Sequence, residues 1–250
     1  MKKLIVPLSL LPLLLLAACA PAAAPPSPES PAPSSVESAS PRTVSPAVVD
    51  YGALEKNLPR EAWETLEEYF PVLQEGESFG WTLDCGGNDS ASEPLPVTWE
   101  AYFYQLWSLG DPPPEEPPLT LERLSFVDLD GDGGEELILF IPERGGWYLI
   151  LHREGESFYG VDLGNRSFQG LQADGVFVGS GGAATHYYRR LRFAGGRFSE
   201  ELLGYKDNEA SFIGGEAVDA AKFDAWVEEL MAGEAFWYAP TGELLGEKEG

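Results

Sequence analysis

The chain has 250 residues, of which 44% are hydrophobic and 12% aromatic, so it has enough apolar mass for a core and more aromatics than a disordered chain carries. Its 41 acidic side chains outnumber 16 basic ones, for a formal net charge of −25. A surface with this charge repels phosphate backbones and concentrates cations, which argues against nucleic acid as a partner.

The amino terminus has the features of an export signal over residues 1–18. Lys2 and Lys3 precede an apolar run that is too short to span a bilayer and that ends in small residues. Residues 16–19, Leu-Ala-Ala-Cys, resemble the lipobox of bacterial lipoproteins, which implies that Cys19 is acylated and becomes the first mature residue. We therefore expect an extracytoplasmic protein attached to the cell membrane through a lipid on Cys19. An ordinary secretory signal followed by a chance cysteine is the alternative.

Residues 19–47 consist mainly of Pro, Ala and Ser, and they predict a disordered tether that leans towards polyproline II. We expect residues 48–250 to form one folded unit. Within it, residues 48–118 form a helical segment that ends in a Pro-rich connector, and residues 119–250 form a β-rich region with a calcium loop. Besides Cys19 the only cysteine is Cys85, so with Cys19 acylated no intrachain disulfide is available.

Apolar residues at helical spacing predict a helix over residues 59–70, ended by Pro71. A second helix is expected over residues 98–109 with Thr98 as its cap. Its aromatic face could form a sugar-binding platform, although helical spacing favours a place in the core. A last helix is expected after the cap residue Asp219.

After residue 118 the hydrophobic pattern becomes typical of strands. Short apolar or alternating runs are separated by turn signals, as in hairpins. These signals are Gly145-Gly146, Glu154-Gly155, Asp174-Gly175, Gly195-Gly196 and Gly214-Gly215. The sequence predicts an α+β fold: an antiparallel meander of about seven to nine short strands, with an N-terminal helical pair and a C-terminal helix that covers the sheet.

Residues 128–136 read Asp-Leu-Asp-Gly-Asp-Gly-Gly-Glu-Glu and lie between two strand-like runs. Carboxylates at alternate positions followed by a glycine are what Ca²⁺ requires of a short loop. We therefore predict a Ca²⁺ site. Its ligands are the side chains of Asp128, Asp130, Asp132 and Glu136 and the backbone carbonyl of Gly134.

This loop is not a complete EF-hand. Leu139 stands where the bidentate Glu of an EF-hand would be, and strands rather than helices are expected on both sides. Water or another part of the chain would have to complete the ligand set. The alternative is an acidic turn that stays solvated and holds no ion.

The loop is similar to the D-x-D-x-D-G-x-x-[DE]-[LIV] loops of calcium-binding propeller repeats of the FG-GAP and VCBS type. Those repeats close a propeller only in several copies, and this chain has one, which excludes a propeller. The order of lipobox, tether, calcium loop and segments 171–177, 180–184 and 188–193 resembles a family of uncharacterised lipoproteins of Gram-positive gut bacteria of the Firmicutes type. That resemblance covers roughly residues 60–238 and implies an envelope location, but the family carries no settled activity to transfer.

Side chains that could carry out catalysis are scarce. The two histidines, His152 and His186, each lie in or beside an expected strand, where a lone histidine is usually structural. Residues 76–80 match the G-x-S-x-G pattern, but the strand before it and the helix after it are missing. We therefore expect no catalytic residue and a non-catalytic binding or accessory module of the envelope, with a structural Ca²⁺ and a protein or glycan ligand that the sequence does not identify.

Two other functions stay open at this point. One is an envelope hydrolase that acts on glycan or peptide through paired carboxylates, with Glu135 and Glu136 among the candidates. The other is a sensor or accessory lipoprotein within a larger envelope complex, which an exposed aromatic patch would favour.

Overall fold

The computed structural model describes residues 49–83, 93–108, 120–142 and 145–245, which belong to the unit Thr43–Gly250. The predicted signal, Cys19, the tether, Cys85 and the Pro-rich connector over residues 111–118 lie outside the described residues. No helix within the described ranges is long and apolar enough to cross a membrane.

The described residues form five helices and thirteen strands, which confirms the α+β class in its broad form. The helices are α1 (Tyr51–Asn57), α2 (Arg60–Glu68), α3 (Phe70–Leu73), α4 (Trp99–Ser108) and α5 (Ala220–Leu230). The first six strands are β1 (Phe79–Leu83), β2 (Leu95–Val97), β3 (Arg123–Val127), β4 (Glu136–Ile141), β5 (Trp147–Glu154) and β6 (Ser157–Gly164). The others are β7 (Val176–Gly182), β8 (Thr185–Ala194), β9 (Arg197–Lys206), β10 (Ser211–Ile213), β11 (Glu216–Val218), β12 (Trp237–Tyr238) and β13 (Leu244–Leu245).

Local capping signals position two of the helices. The side chains of Asp219 and Thr98 accept backbone N–H groups in the first turns of α5 and α4, at 2.9 and 3.3 Å. Pro71 does not end a helix, however. The chain leaves α2 after Glu68, and Pro71 lies in the first turn of α3, where its missing N–H removes no helical hydrogen bond.

The strands form two sheets, not one meander. An eight-stranded sheet has the order β13-β12-β3-β4-β5-β6-β1-β2, and a five-stranded sheet has the order β11-β10-β9-β8-β7. Most neighbours are antiparallel, but β1 pairs with β6 in parallel. Because β1 and β6 are far apart in sequence, hydrophobic periodicity, which is a local signal, could not have placed them side by side.

Two hydrophobic clusters lie on opposite faces of the eight-stranded sheet. Successive residues of β4 alternate between them: Leu137 and Leu139 belong to one cluster, Ile138 and Phe140 to the other. The first cluster contains the buried side chains of α1–α4, and the second contains Phe177 of the five-stranded sheet. All six residues of β4 are therefore buried.

Helix α5 contacts the five-stranded sheet through aromatic rings. The ring centroids of Phe223 and Trp226 lie 5.8 and 5.4 Å from that of Tyr188 in β8. Gly204 in β9 leaves room for this contact, because a Cβ atom there would lie 2.7 Å from the Trp226 ring.

Candidate metal centre

The predicted calcium loop connects β3 to β4, which are adjacent antiparallel strands. Their pairing runs from Arg123 opposite Phe140 to Val127 opposite Glu136, so Glu136 is the first residue of β4. Strands thus flank the loop on both sides, as the sequence predicts.

The three aspartate carboxylates converge on one region of the loop. Oxygen atoms of Asp128, Asp130 and Asp132 lie within 4.8 Å of one another. Backbone amides of the loop hold all three side chains. Asp128 accepts from Gly131 at 2.7 Å and from Gly133 at 3.1 Å, Asp130 Oδ1 accepts from Asp132 at 3.0 Å, and Asp132 Oδ1 accepts from Gly134 at 2.7 Å. The loop is therefore folded around its own carboxylates.

The remaining predicted ligands occupy different environments. Gly134 is exposed in the loop, whereas Glu136 is 1% exposed. One Glu136 oxygen lies within 4.8 Å of an Asp130 oxygen and of a His152 nitrogen. Glu136 Oε2 also accepts the backbone N–H of Leu129 at 2.6 Å, so this side chain fixes the start of the loop.

His152 is the residue that the sequence interpretation missed. It is 5% exposed, and its Nδ1 lies 2.8 Å from Glu136 Oε1. Phe193 of β8 stacks on the imidazole, with centroids 4.4 Å apart and ring planes at 9°. The missed signal was the hairpin register. Leu137 pairs with Leu151 across the β4–β5 hairpin, which brings the next positions, Glu136 and His152, side by side.

Burial and charge act in opposite directions on this pair. Burial raises the pKa of Glu136, while the hydrogen bonds from His152 and from the Leu129 N–H oppose that rise. Burial lowers the pKa of His152, but its hydrogen bond to Glu136 and the nearby carboxylates of Asp130 and Asp132 outweigh burial and raise it. The pair therefore keeps its shared proton to a higher pH than an isolated histidine would.

Elements distant in sequence pack against the loop. Gly175, in the turn before β7, has φ +82°, and a Cβ atom there would lie 2.8 Å from both the Asp128 carbonyl oxygen and Leu129 Cα. The Arg192 guanidinium in β8 donates to the Asp130 carbonyl and also to Glu201 Oε2, at 2.6 and 3.0 Å. The five-stranded sheet is thus held against one side of the loop.

The helices contact the other end of the loop through Glu135. Thr65 Oγ donates to Glu135 Oε2 at 2.9 Å, and the Tyr69 hydroxyl donates to the Glu135 carbonyl at 2.9 Å. Glu135 therefore binds the helical layer and is turned away from the buried side of Glu136.

A second buried acid lies in β6. Asp162 is 0% exposed; its two oxygens accept the Tyr102 hydroxyl at 2.7 Å and Trp81 Nε1–H at 2.9 Å. Burial raises the pKa of Asp162 to about 7, although both hydrogen bonds act to lower it. This acid is enclosed in the aromatic cluster beneath α4.

The hydrolase alternative calls for paired carboxylates in a cleft. A cavity of about 440 Å³ lies between α5 and strands β8 and β9, and it contains Asp207 and Asp224. Lys206 is bound to Asp224 at 2.9 Å, and the rings that line the cavity are those of His186, Tyr188 and Phe223. The two acids considered for catalysis, Glu135 and Glu136, lie instead at the loop.

No family model, curated protein or solved structure matches this chain.

Proposed function

We propose that this protein is a lipid-anchored, extracytoplasmic, non-catalytic module of the cell envelope, stabilised by Ca²⁺ bound at residues 128–136. The observation that carries the proposal is the convergence of three carboxylates within 4.8 Å, each held by backbone amides. Negative charges this close repel one another, and a divalent cation between them removes that cost.

The chemistry of the donor set fits a hard cation. Asp128, Asp130 and Asp132 supply carboxylate oxygens, and the Gly134 carbonyl and Glu136 extend the set. Ca²⁺ takes six to eight oxygen ligands, so water completes its shell. In this arrangement the Leu129 N–H orients Glu136, as outer hydrogen bonds commonly orient metal ligands.

The role of the ion in this proposal is structural. The loop contacts the five-stranded sheet through Arg192 and the helices through Glu135. An ion that fixes the loop therefore stabilises both contacts. Because an ion that binds only the folded chain raises stability by mass action, folding becomes dependent on calcium.

Thermal unfolding of the full chain with and without Ca²⁺ tests this proposal. At a Ca²⁺ concentration tenfold above its dissociation constant, we expect the melting temperature to rise by about 3–6 °C. EDTA should reverse the rise. Asp130→Ala should abolish it, because the substitution removes one of the three converging carboxylates.

The control variant is Glu228→Ala, which removes one exposed negative charge from α5. It should retain the full calcium response. An equal response in Asp130→Ala and in wild type, or none in wild type, would contradict the proposal.

The membrane anchor rests on the sequence around Cys19. We expect the wild-type protein to sediment with membranes and to incorporate an alkyne-labelled fatty acid in its bacterial host. Cys19→Ala should lose the label and move to the soluble or secreted fraction. A Cys19→Ala variant that stays labelled would contradict the anchor at Cys19.

We also propose that the helices form the two outer layers of the folded unit, with the N-terminal helices on one side and α5 on the other. Two observations support this arrangement. Buried residues of α1, α2 and α4 share one hydrophobic cluster with the eight-stranded sheet, and α5 contacts Tyr188 of the five-stranded sheet. In this arrangement the loop lies between the N-terminal helices, which it contacts through Glu135, and the five-stranded sheet, which it contacts through Asp130.

A further inference from the structure

We propose that Asp130, Glu136 and His152 form a second cation site, which takes a borderline divalent transition ion such as Zn²⁺. The site adjoins the calcium loop and shares Asp130 and Glu136 with the donor set proposed for Ca²⁺. It goes beyond the calcium proposal because its donor set includes an imidazole nitrogen and because Glu136 and His152 are buried.

The donor atoms are already close together. One atom from each of the three side chains lies within 4.8 Å of the other two. Donors bound tetrahedrally to one ion at about 2.1 Å lie roughly 3.4 Å apart. The separation of 2.8 Å between Glu136 Oε1 and His152 Nδ1 therefore has to grow by roughly 0.6 Å when an ion binds.

Each side chain is held by a group outside the donor set. The Leu129 N–H fixes Glu136 Oε2, the Asp132 N–H fixes Asp130 Oδ1, and the Phe193 ring stacks on the His152 imidazole. Glu136 and His152 are 1% and 5% exposed, so their orientation is also restrained by packing. A donor set held in this way loses little conformational freedom when an ion binds.

The mixture of donors selects the class of ion. Ca²⁺ prefers oxygen alone, whereas imidazole together with carboxylates suits Zn²⁺ and neighbouring transition ions. On binding, the ion replaces the proton shared by His152 Nδ1 and Glu136 Oε1, and that proton is released to solvent. Asp130 is half-buried at the loop surface, which provides the side of entry.

The two histidines of the chain make a clean test possible. His186 is exposed in β8 and serves as the matched control for His152. The full chain, with its free thiols blocked by alkylation, is titrated with Zn²⁺ in calcium-free buffer, and the imidazole signals are followed by NMR. We expect the His152 signals to shift, and those of His186 to stay in place.

Variants separate this proposal from the calcium proposal. His152→Asn should weaken Zn²⁺ binding at least about tenfold, measured by calorimetry, and retain the melting-temperature rise with Ca²⁺. His186→Asn should leave both responses unchanged, and Asp130→Ala should lose both.

The outcomes differ for the two proposals. Unshifted His152 signals, or equal Zn²⁺ affinity in His152→Asn and wild type, would overturn the transition-ion site and leave the calcium loop intact. A Zn²⁺ response at His152 without any Ca²⁺ response would support the transition-ion site and overturn the calcium proposal. The NMR measurement uses the wild-type chain, so it decides the matter even if His152→Asn does not fold.

Discussion

Two buried carboxylates, Glu136 and Asp162, lie in one sheet but on its opposite faces. Glu136 shares its face with Ile138, in the cluster packed against the five-stranded sheet. Asp162 accepts hydrogen bonds from Trp81 and Tyr102, which belong to the cluster beneath the helices. Both acids have almost no solvent exposure, 1% for Glu136 and 0% for Asp162, and they differ in their hydrogen-bond partners.

The partners of Asp162 are neutral, whereas Glu136 has a basic one. No charged group among the described residues offsets the burial of Asp162, and its pKa rises to about 7. Burial raises the pKa of Glu136, and the contact with His152 opposes that rise. The same contact raises the pKa of the histidine. Burial thus raises the pKa of both acids, and the basic partner of Glu136 opposes that rise.

The largest expected effect is the pH dependence caused by Asp162. Its pKa is raised from 3.8 in the unfolded chain to about 7 in the folded one, so the folded state binds the proton more tightly. Its stabilising contribution is complete below about pH 3.8 and is lost as the pH rises through about 7. Relative to Asp162→Asn, wild type should lose on the order of 4 kcal/mol between about pH 4 and pH 8.

Guanidinium unfolding of both proteins over that pH range, in calcium-free buffer, measures this difference. The comparison with Asp162→Asn cancels the contributions of the other titrating groups. A difference that does not change with pH would mean that Asp162 titrates as an ordinary carboxylate.

The next largest effect concerns the packing of the loop. Gly175→Ala should destabilise the fold by about 3 kcal/mol, because a residue with a Cβ atom is strained at φ +82° and that atom would contact the backbone of Asp128 and Leu129. Gly155→Ala is the control. It has φ +65° with no atom within 4 Å of an added Cβ, so it should cost only about 1 kcal/mol. Equal losses of stability in the two variants would show that the turn before β7 does not pack closely against the loop.

The smallest expected effect compares the two acids directly. At about pH 5, Asp162→Asn should raise the free energy of unfolding by about 1.5 kcal/mol, because Asp162 has to take up a proton when the chain folds at that pH and the amide does not. Glu136→Gln should cost about 2 kcal/mol, since it replaces a charge-assisted hydrogen bond to His152 with a neutral one. A larger loss for Asp162→Asn than for Glu136→Gln would reverse this interpretation of the two sites.

Local signals in the sequence predicted local structure well. The caps Asp219 and Thr98 lie at the starts of their helices, and strands flank the loop at residues 128–136. These features depend on hydrogen bonds and backbone preferences within a few residues. The sequence did not predict α1, nor that the chain continues through Pro71 into α3. Packing against the core outweighs the weak helix propensity of these segments.

Part of the candidate site was also accessible from the sequence. Alternation of Asp128, Asp130 and Asp132 predicted a shared location for their side chains, and the structure brings them together. The pattern placed Glu136 beside them but gave no indication that His152 and the Leu129 N–H engage the same carboxylate. That information lies in the β4–β5 register and in the contact of Phe193 from the other sheet.

The sequence by itself determined the loop, its oxygen-rich donors and the class of the fold, because these depend on residues next to one another in the chain. Only the tertiary structure decided the division into two sheets, the parallel pairing of β1 with β6 and the neighbours of Glu136 and Asp162. The physical reason is that the burial of a side chain and the charges around it depend on which surfaces pack together. Such contacts join residues far apart in sequence, and no short sequence pattern encodes them.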